Sequence, residues 1–235
     1  MTATRGQALR RRIRHPWARV PRTEKRSGVA AVASAAAKRG LDIVCALIGL
    51  VLTAPAWLVL PVLIKLEDGG PVFFVHTRIG RDGETFHPLK FRSMVPDGSG
   101  ERTPQQDTPD EELITRVGRF MRATALDELP QLWNILRGDM SLVGPRAVPP
   151  EERCGQEGER VDVQEVPGYR LRHRIRPGLT GLAQVYLPRS ARHRDKFRLD
   201  TLYVRRRTLW LDVKLILLSV WISLRGKWPD VGTHE

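Results

Sequence analysis

Hydrophobic positions in this 235-residue chain gather into two blocks, residues 41–64 and 209–224, separated by a polar middle punctuated by Gly and Pro. The first block (LDIVCALIGLVLTAPAWLVLPVLI) carries a single charge, Asp42. As a straight helix it would reach about 36 Å, enough to cross a bilayer. Pro55 and Pro61 each remove a backbone donor, and Pro55 follows only about fourteen apolar residues. Lys38 and Arg39 precede the block, and Lys65, Arg78 and Arg81 follow it. Basic flanks prefer the cytoplasmic side, so positive charge at both ends favours a re-entrant hairpin, bent at Ala54-Pro55, over a spanning helix. Asp42, one residue into the run, is expected at interface depth beside Lys38 or Arg39. The second block contains Asp212 and Lys214 and has Trp210 and Trp221 near its ends. It is too short to span, which leaves a core helix or an amphipathic interfacial helix. The basic run at 205–207 favours the interface.

Between the blocks, residues 71–78 read as a strand, Asp82-Gly83 as a hairpin turn and residues 85–92 as a second strand. Residues 95–115 and 149–168 are polar loops, the first expected to be mobile. Residues 116–122 form a short basic helical turn. Residues 131–136 are helical in pattern and stop at Gly138, and residues 199–224 are mainly helical. The expected fold is mixed α+β with few strands and an N-terminal re-entrant helix hairpin. Its divisions are a basic arm (1–37), a re-entrant helix (38–66), a globular domain (67–225) and a tail (226–235).

Composition narrows the function. The net charge of +13 points to a polyanionic partner: nucleic acid, anionic lipid or a phosphorylated substrate. Residues 1–40 hold eleven Lys or Arg against one acid, Glu24, so most of the arm is expected to be disordered and drawn to an anionic leaflet. The Ala run at 30–37 lacks a preceding apolar core and is not a signal peptide. Two Cys, with Cys45 in an apolar run, exclude a disulfide scaffold, and no Cys or His spacing suits zinc.

Candidate chemistry lies in the middle. Arg78, Arg81, Lys90 and Arg92 fall on or beside the hairpin with Gly80 and Gly83, and cationic forks beside bare amides suit a diphosphate. A basic hairpin is, however, more often a solvated face. Asp127 and Glu128 precede Pro130, where acids ordinarily complement a helix macrodipole. Set among Arg119, Arg122 and Arg146, they could instead hold Mg²⁺ and supply a carboxylate nucleophile.

KFRSM (90–94), LDELPQL (126–132), Asn134, GDMSLVGPR (138–146) and RPGLTGLAQV (176–185) together resemble the bacterial sugar transferases, the monotopic polyprenyl-phosphate phosphoglycosyl transferases. The resemblance runs from about residue 38 to about residue 224. It implies an α+β monotopic membrane protein with an N-terminal re-entrant helix hairpin broken at a proline, here Pro55, a small mixed catalytic domain over 67–225 and amphipathic interfacial helices. It makes Asp127 the covalent nucleophile, Glu128 a Mg²⁺ ligand, and Lys90, Arg92 and Arg146 phosphate contacts. The implied reaction transfers a sugar-1-phosphate from a nucleotide diphosphate sugar, usually a UDP-sugar, to a polyprenyl phosphate at the cytoplasmic face of the cell membrane. The chain looks like the minimal form of the family. Anionic lipids and downstream glycosyltransferases are the expected partners, nucleic acid is not, and exposed apolar surface would favour a homodimer. A carboxylate pair flanked by cations is expected to stay ionised at neutral pH. The usual GPRP reads Gly144-Pro145-Arg146-Ala147, which weakens the expectation of a rigid backbone after Arg146. Two other readings remain: a nucleic-acid-binding protein, which leaves residues 41–64 unexplained, and a non-catalytic membrane scaffold.

Overall fold

The computed structural model describes residues 28–95, 113–154, 161–188 and 190–225. Most of the basic arm, the centre of the 95–115 loop and the tail lie outside the described residues. The chain opens with two helices, α1 (Gly28–Leu52) and α2 (Ala54–Asp68), bent by 60° at Thr53. Pro55 lies in the first turn of α2, where a missing N–H costs nothing, and the Thr53 hydroxyl donates back to Gly49 O at 2.7 Å. Among the described residues no single helix is long and apolar enough to cross a membrane, whereas this bent pair is by length and composition.

Each helix of the pair buries one stripe. On α1, Asp42 and Ala46 are buried at i, i+4 spacing, and Gly49 lets Leu132 approach. On α2, Leu60 and Ile64 pack with Phe91 and Met121. The remaining faces expose Val44, Leu47, Val51, Leu58, Val62 and Leu66.

The two expected strands are each broken, and the hairpin is kinked into two short antiparallel ladders. Strand β1 (Phe73–Val75) pairs with β4 (Leu89–Phe91), and β2 (Arg78–Ile79) with β3 (Thr85–Phe86). The turn has left-handed Asp82 (φ 55°) and Gly83 (φ 88°), as the Asp-Gly pair predicts. Next come α3 (Arg116–Thr124), capped by the Thr115 hydroxyl accepting from Gly118 N, and α4 (Gln131–Arg137), closed by Gly138 at φ 101°. Two arginines from distant elements satisfy the last carbonyls around α4: Arg39 donates to Ile135 O and Leu136 O, and Arg176 to Gly138 O.

A parallel pair absent from the sequence reading follows: β5 (Ser141–Val143) beside β8 (Gly178–Thr180). A Cβ on Gly178 would lie 2.1 Å from Gly144 N, so the GPR and RPG motifs interlock through bare backbone. The 149–168 loop carries a small ladder, β6 (Arg153–Cys154) with β7 (Val161–Asp162), and a 3₁₀ turn at Val163–Glu165. Short helices α5 (Tyr169–Arg172) and α6 (Leu182–Tyr186) precede α7 (His193–Arg206) and α8 (Leu209–Arg225). The main core gathers Ile135, Met140, Val143, Leu182, Leu199 and Leu215. Helix α8 packs as a core helix on one face, through Leu211, Leu215 and Ile222, while Trp210, Leu217, Trp221 and Leu224 on its other face are exposed.

Asp42 does pair with Lys38, at 2.9 Å, but not at an exposed interface. It is buried, accepts from Ser141 Oγ and Leu142 N at 3.0 Å each, and shares Lys38 with Asp212 of α8. Tyr203 donates to Asp212 at 2.6 Å, so one polar network joins α1, β5, α7 and α8.

Candidate active site

The acidic pair sits on a single 3₁₀ turn, Leu126–Glu128, between α3 and α4. The turn is entered through Ala125 in the left-handed region (φ 58°), a conformation that costs a non-glycine residue of order 1 kcal/mol or more. Both Asp127 and Glu128 are half-buried, and their surroundings differ sharply.

Glu128 Oε1 accepts from Lys90 Nζ at 2.7 Å and from Arg146 Nη2 at 3.3 Å. Burial alone would raise its pKa, but these two cations overcome it and hold the carboxyl well below the usual range. No hydrogen bond among the described residues takes Oε2. Asp127 has no hydrogen bond or ion pair among the described residues. Burial and the charge of Glu128 push its pKa up, against the pull of Lys90, Arg122 and Arg146. The pair is thus divided into an anchored, strongly acidic carboxylate and a free, more basic one.

Each cation is held by a different part of the fold. Lys90 is on β4, which Asn134 clamps to α4: its Oδ1 accepts from Leu89 N at 2.8 Å and its Nδ2 donates to His87 O at 2.9 Å. Asn134 was visible as part of a motif, but its positioning role depends on a contact across 45 residues that no spacing signals. Arg146 follows the Gly144–Gly178 crossing. Its carbonyl accepts from buried Arg172, and the next turn is pinned by Ile79 N donating to Val148 O at 2.9 Å. These contacts fix the backbone around Ala147 without a second proline. Arg172 itself pairs with Asp200 at 3.0 Å and stacks over Phe197.

Arg78 belongs to the same cluster. Burial and the nearby Arg146 lower its pKa to about 10, while Glu152 and Glu128 oppose the shift. No side-chain hydrogen bond or ion pair engages it among the described residues, which leaves a desolvated guanidinium beside another cation. Such a pair suits an anionic ligand bridging both. Glu152, which binds His193 at 2.6 Å, is an acid at this edge that the sequence reading did not single out.

Two expected phosphate contacts lie elsewhere. Arg92 is buried, with both terminal guanidinium nitrogens on Asp68 at the end of α2. Strand β4 ends at Phe91, and Gly70 has no side chain to keep the Arg92 guanidinium off the backbone there, so Arg92 closes the α2 terminus. Arg81 is exposed on the hairpin turn and pairs with neighbouring Asp82 at 2.9 Å. The structure therefore gathers Asp127, Glu128, Lys90, Arg146 and Arg78, and separates Arg92 and Arg81 from the pair.

The donor chemistry can be tested for Mg²⁺. Among the described residues no group of three or more His, Cys, Asp or Glu could hold a metal. Mg²⁺ is commonly bound by one or two carboxylates plus substrate phosphates, and Glu128 Oε2 beside Asp127 fits that pattern.

The acidic turn and the cations that converge on it suit a protein that handles phosphorylated ligands. Residues 33–226 match the family described as "Bacterial sugar transferase". The chain belongs to that family. It is 41% identical over 193 residues to the UDP-N-acetylgalactosamine-undecaprenyl-phosphate N-acetylgalactosaminephosphotransferase of Aeromonas hydrophila, covering 80% of this chain and 44% of that one. It is 42% identical to the UDP-glucose:undecaprenyl-phosphate glucose-1-phosphate transferase of Caulobacter vibrioides, covering 78% and 68%. With the "Exopolysaccharide production protein ExoY" of Rhizobium meliloti it shares 36% identity, covering 78% and 84%. The chain spans less than half the length of several of the curated relatives it matches.

Proposed function

We propose that this protein transfers a sugar-1-phosphate from a UDP-sugar to polyprenyl phosphate through a covalent aspartyl intermediate. The observation that carries the reading is the division within the pair: Asp127 is free and made more basic, while Glu128 is saturated at one oxygen by Lys90 and Arg146. An Asp127 carboxylate oxygen attacks the β-phosphorus as the bond to the bridging oxygen breaks, and UMP leaves with that electron pair. An oxygen of the polyprenyl phosphate then attacks the phosphosugar and returns Asp127 as a free carboxylate. Splitting the displacement keeps the two polyanionic substrates from meeting in one step. Lys90, Arg146 and Arg78 orient the diphosphate and offset charge on the transferring group. Mg²⁺, held by Glu128 Oε2 and donor phosphate oxygens, would neutralise further charge there.

In this reading the bent helix pair is re-entrant and rests in the cytoplasmic leaflet of the cell membrane. Its support is the exposed apolar face of α1 and α2, which is far from what a water-facing surface carries. The Trp210–Leu217–Trp221–Leu224 stripe of α8 would lie among the headgroups, with Arg225 over Trp221 at its rim. Anionic lipids would bind the basic surface, and the product would pass to glycosyltransferases.

The test is Asp127→Asn in lipid nanodiscs. UMP release and the hexose-phosphate adduct detected by intact mass after donor alone should both disappear. Thermal stability at pH 7 should rise, because the raised Asp127 pKa means that ionising this carboxyl opposes folding. Turnover comparable to the parent would end the assignment.

A further inference from the structure

An open apolar groove of about 610 Å³ lies where the helix pair meets the domain. Leu50, Ala54, Trp57 and Leu58 line one side, and Leu89 and Trp133 the other. Its size falls within the range of small-molecule clefts, about 300–1,000 Å³. None of the six lining residues is charged, and the groove is surrounded by a strongly basic protein.

Both walls are tied to functional parts of the molecule. On the domain side, Leu89 immediately precedes Lys90, whose Nζ lies 2.7 Å from Glu128. Trp133 is on α4, which starts three residues after Glu128, and its neighbour Asn134 binds Leu89 N directly. The groove and the cationic cluster thus share strand β4, at positions one residue apart along the chain. On the helix side, Leu58 is 76% exposed and belongs also to the outward apolar face of α2, so the groove opens onto that face. Trp133, one of the two indoles lining the groove, is 54% exposed. A surface indole beside an apolar cleft signals missing contact area. Apart from the two indole N–H groups the lining offers no side-chain donor and no side-chain acceptor, too little to read the edge of a nucleobase, whereas a hydrocarbon chain needs none.

We propose that this groove holds the first isoprene units of the acceptor lipid. The chain leaves the hydrocarbon phase at the bend between α1 and α2, runs between Trp57 and Trp133, and presents its phosphate to Asp127 at the Lys90 end. This rests on the function proposed above and adds to it a site for the chain. It also gives the bend at Thr53 a role: a continuous helix would close the cleft that Leu50, Ala54 and Leu58 frame together.

The experiment uses the full chain in nanodiscs, with dimethylallyl phosphate and geranylgeranyl phosphate as acceptors. The variants are Trp133→Ala and Trp133→Phe. The parent should show a much lower KM for the longer acceptor. Trp133→Ala should raise the KM for geranylgeranyl phosphate about tenfold, while adduct formation from donor alone proceeds at the parent's rate. Trp133→Phe should restore most of the difference. Membrane partitioning of the acceptors is common to all variants, so the comparison isolates the groove. The proposal is overturned if Trp133→Ala keeps the parent's dependence on chain length. It is equally overturned if the KM of the UDP-sugar changes instead, or if only the oligomeric state does. Should the parent release no UMP and form no adduct, it is the proposed function that fails. Equilibrium dialysis of geranyl phosphate against loaded and empty nanodiscs then judges the groove: weaker binding to Trp133→Ala supports it, and equal binding overturns it.

Discussion

Replacing Glu128 with Gln preserves shape and removes one negative charge from the centre of the cluster. The parent side chain is 18% exposed and is held by Lys90, 25% exposed, and by Arg146, 55% exposed. A hydrogen bond to a charged partner is worth about 1.5–3 kcal/mol, and the short Lys90 contact should contribute about 2. The longer Arg146 contact is more than half solvated and is discounted to under about 1 kcal/mol. Together these make about 2–3 kcal/mol, and if the loss falls on the transition state, kcat/KM for UMP release drops about 30- to 150-fold. The pH profile adds an independent readout. Asp127 is raised by burial and by the charge of Glu128, so removing that charge should move the acid limb of kcat/KM to lower pH. Stability follows the opposite carboxyl. Glu128, held below its ordinary 4.5, stabilises the fold above pH 4.5, and this contribution fades as the pH falls through the lowered value. The variant should lack it. An acid limb that stays in place or moves upward, or a rate within twofold of the parent, would refute the division of roles within the pair.

Two further outcomes test how the cations are held. Arg172→Lys removes the fork that joins Asp200 to the Arg146 carbonyl, leaving Asp200 poorly compensated in a dry site. It should cost about 3 kcal/mol, read as a drop of about 10 °C in Tm, and also lower the rate of adduct formation. His173 is buried and pushed down to about 4, first by burial and then by Arg172, and its Nδ1–H donates to Tyr169 O in the neutral tautomer. A base depressed in this way contributes stability that is complete above pH 6.5 and lost as the pH falls towards 4, about 3 kcal/mol in all. Thermal melts across that window should flatten in His173→Gln.

Local chemistry made several elements legible in the sequence. The helix break precedes Pro55, the Asp82-Gly83 turn follows from two residues tolerant of positive φ, and Gly138 ends α4. The α+β class followed from periodicity and turn residues. The long-range partners were not legible. Nothing in KFRSM distinguishes a lysine that reaches Glu128 from an arginine two residues later that reaches Asp68. The division is set by where β4 ends and by how closely Gly70 passes. The broken hairpin and the β5–β8 pair escaped for a similar reason: two- and three-residue strands carry no periodicity of their own. Arg78 looked like one cation among many until its neighbours left it half-buried beside Arg146, with no carboxylate ion-paired to it among the described residues.

The buried network around Asp42 shows how a helix with an exposed apolar face can be coupled to the surroundings of a carboxylate. Asp42 on α1 accepts from Ser141 Oγ and Leu142 N, so the helix is keyed to β5, the strand that runs into Gly144-Pro145-Arg146. Three residues earlier, Arg39 donates to the last carbonyls of α4, the helix that begins just after Glu128. One turn of α1 thus grips both sides of the cluster: the strand delivering Arg146 and the helix following the acidic turn. Its opposite face is the apolar surface assigned to the membrane. Any change in the depth or tilt of α1 must therefore move the Arg146 and Glu128 supports together, since the same helical turn holds them. A hairpin inserted as a rigid unit would carry Asp127 to a fixed height above the hydrocarbon, where a phosphate tethered to an insoluble chain can reach it. In the proposed topology the bend at Thr53 would do two things at once: keep both ends of the hairpin on one side, and frame the groove through which that chain would arrive.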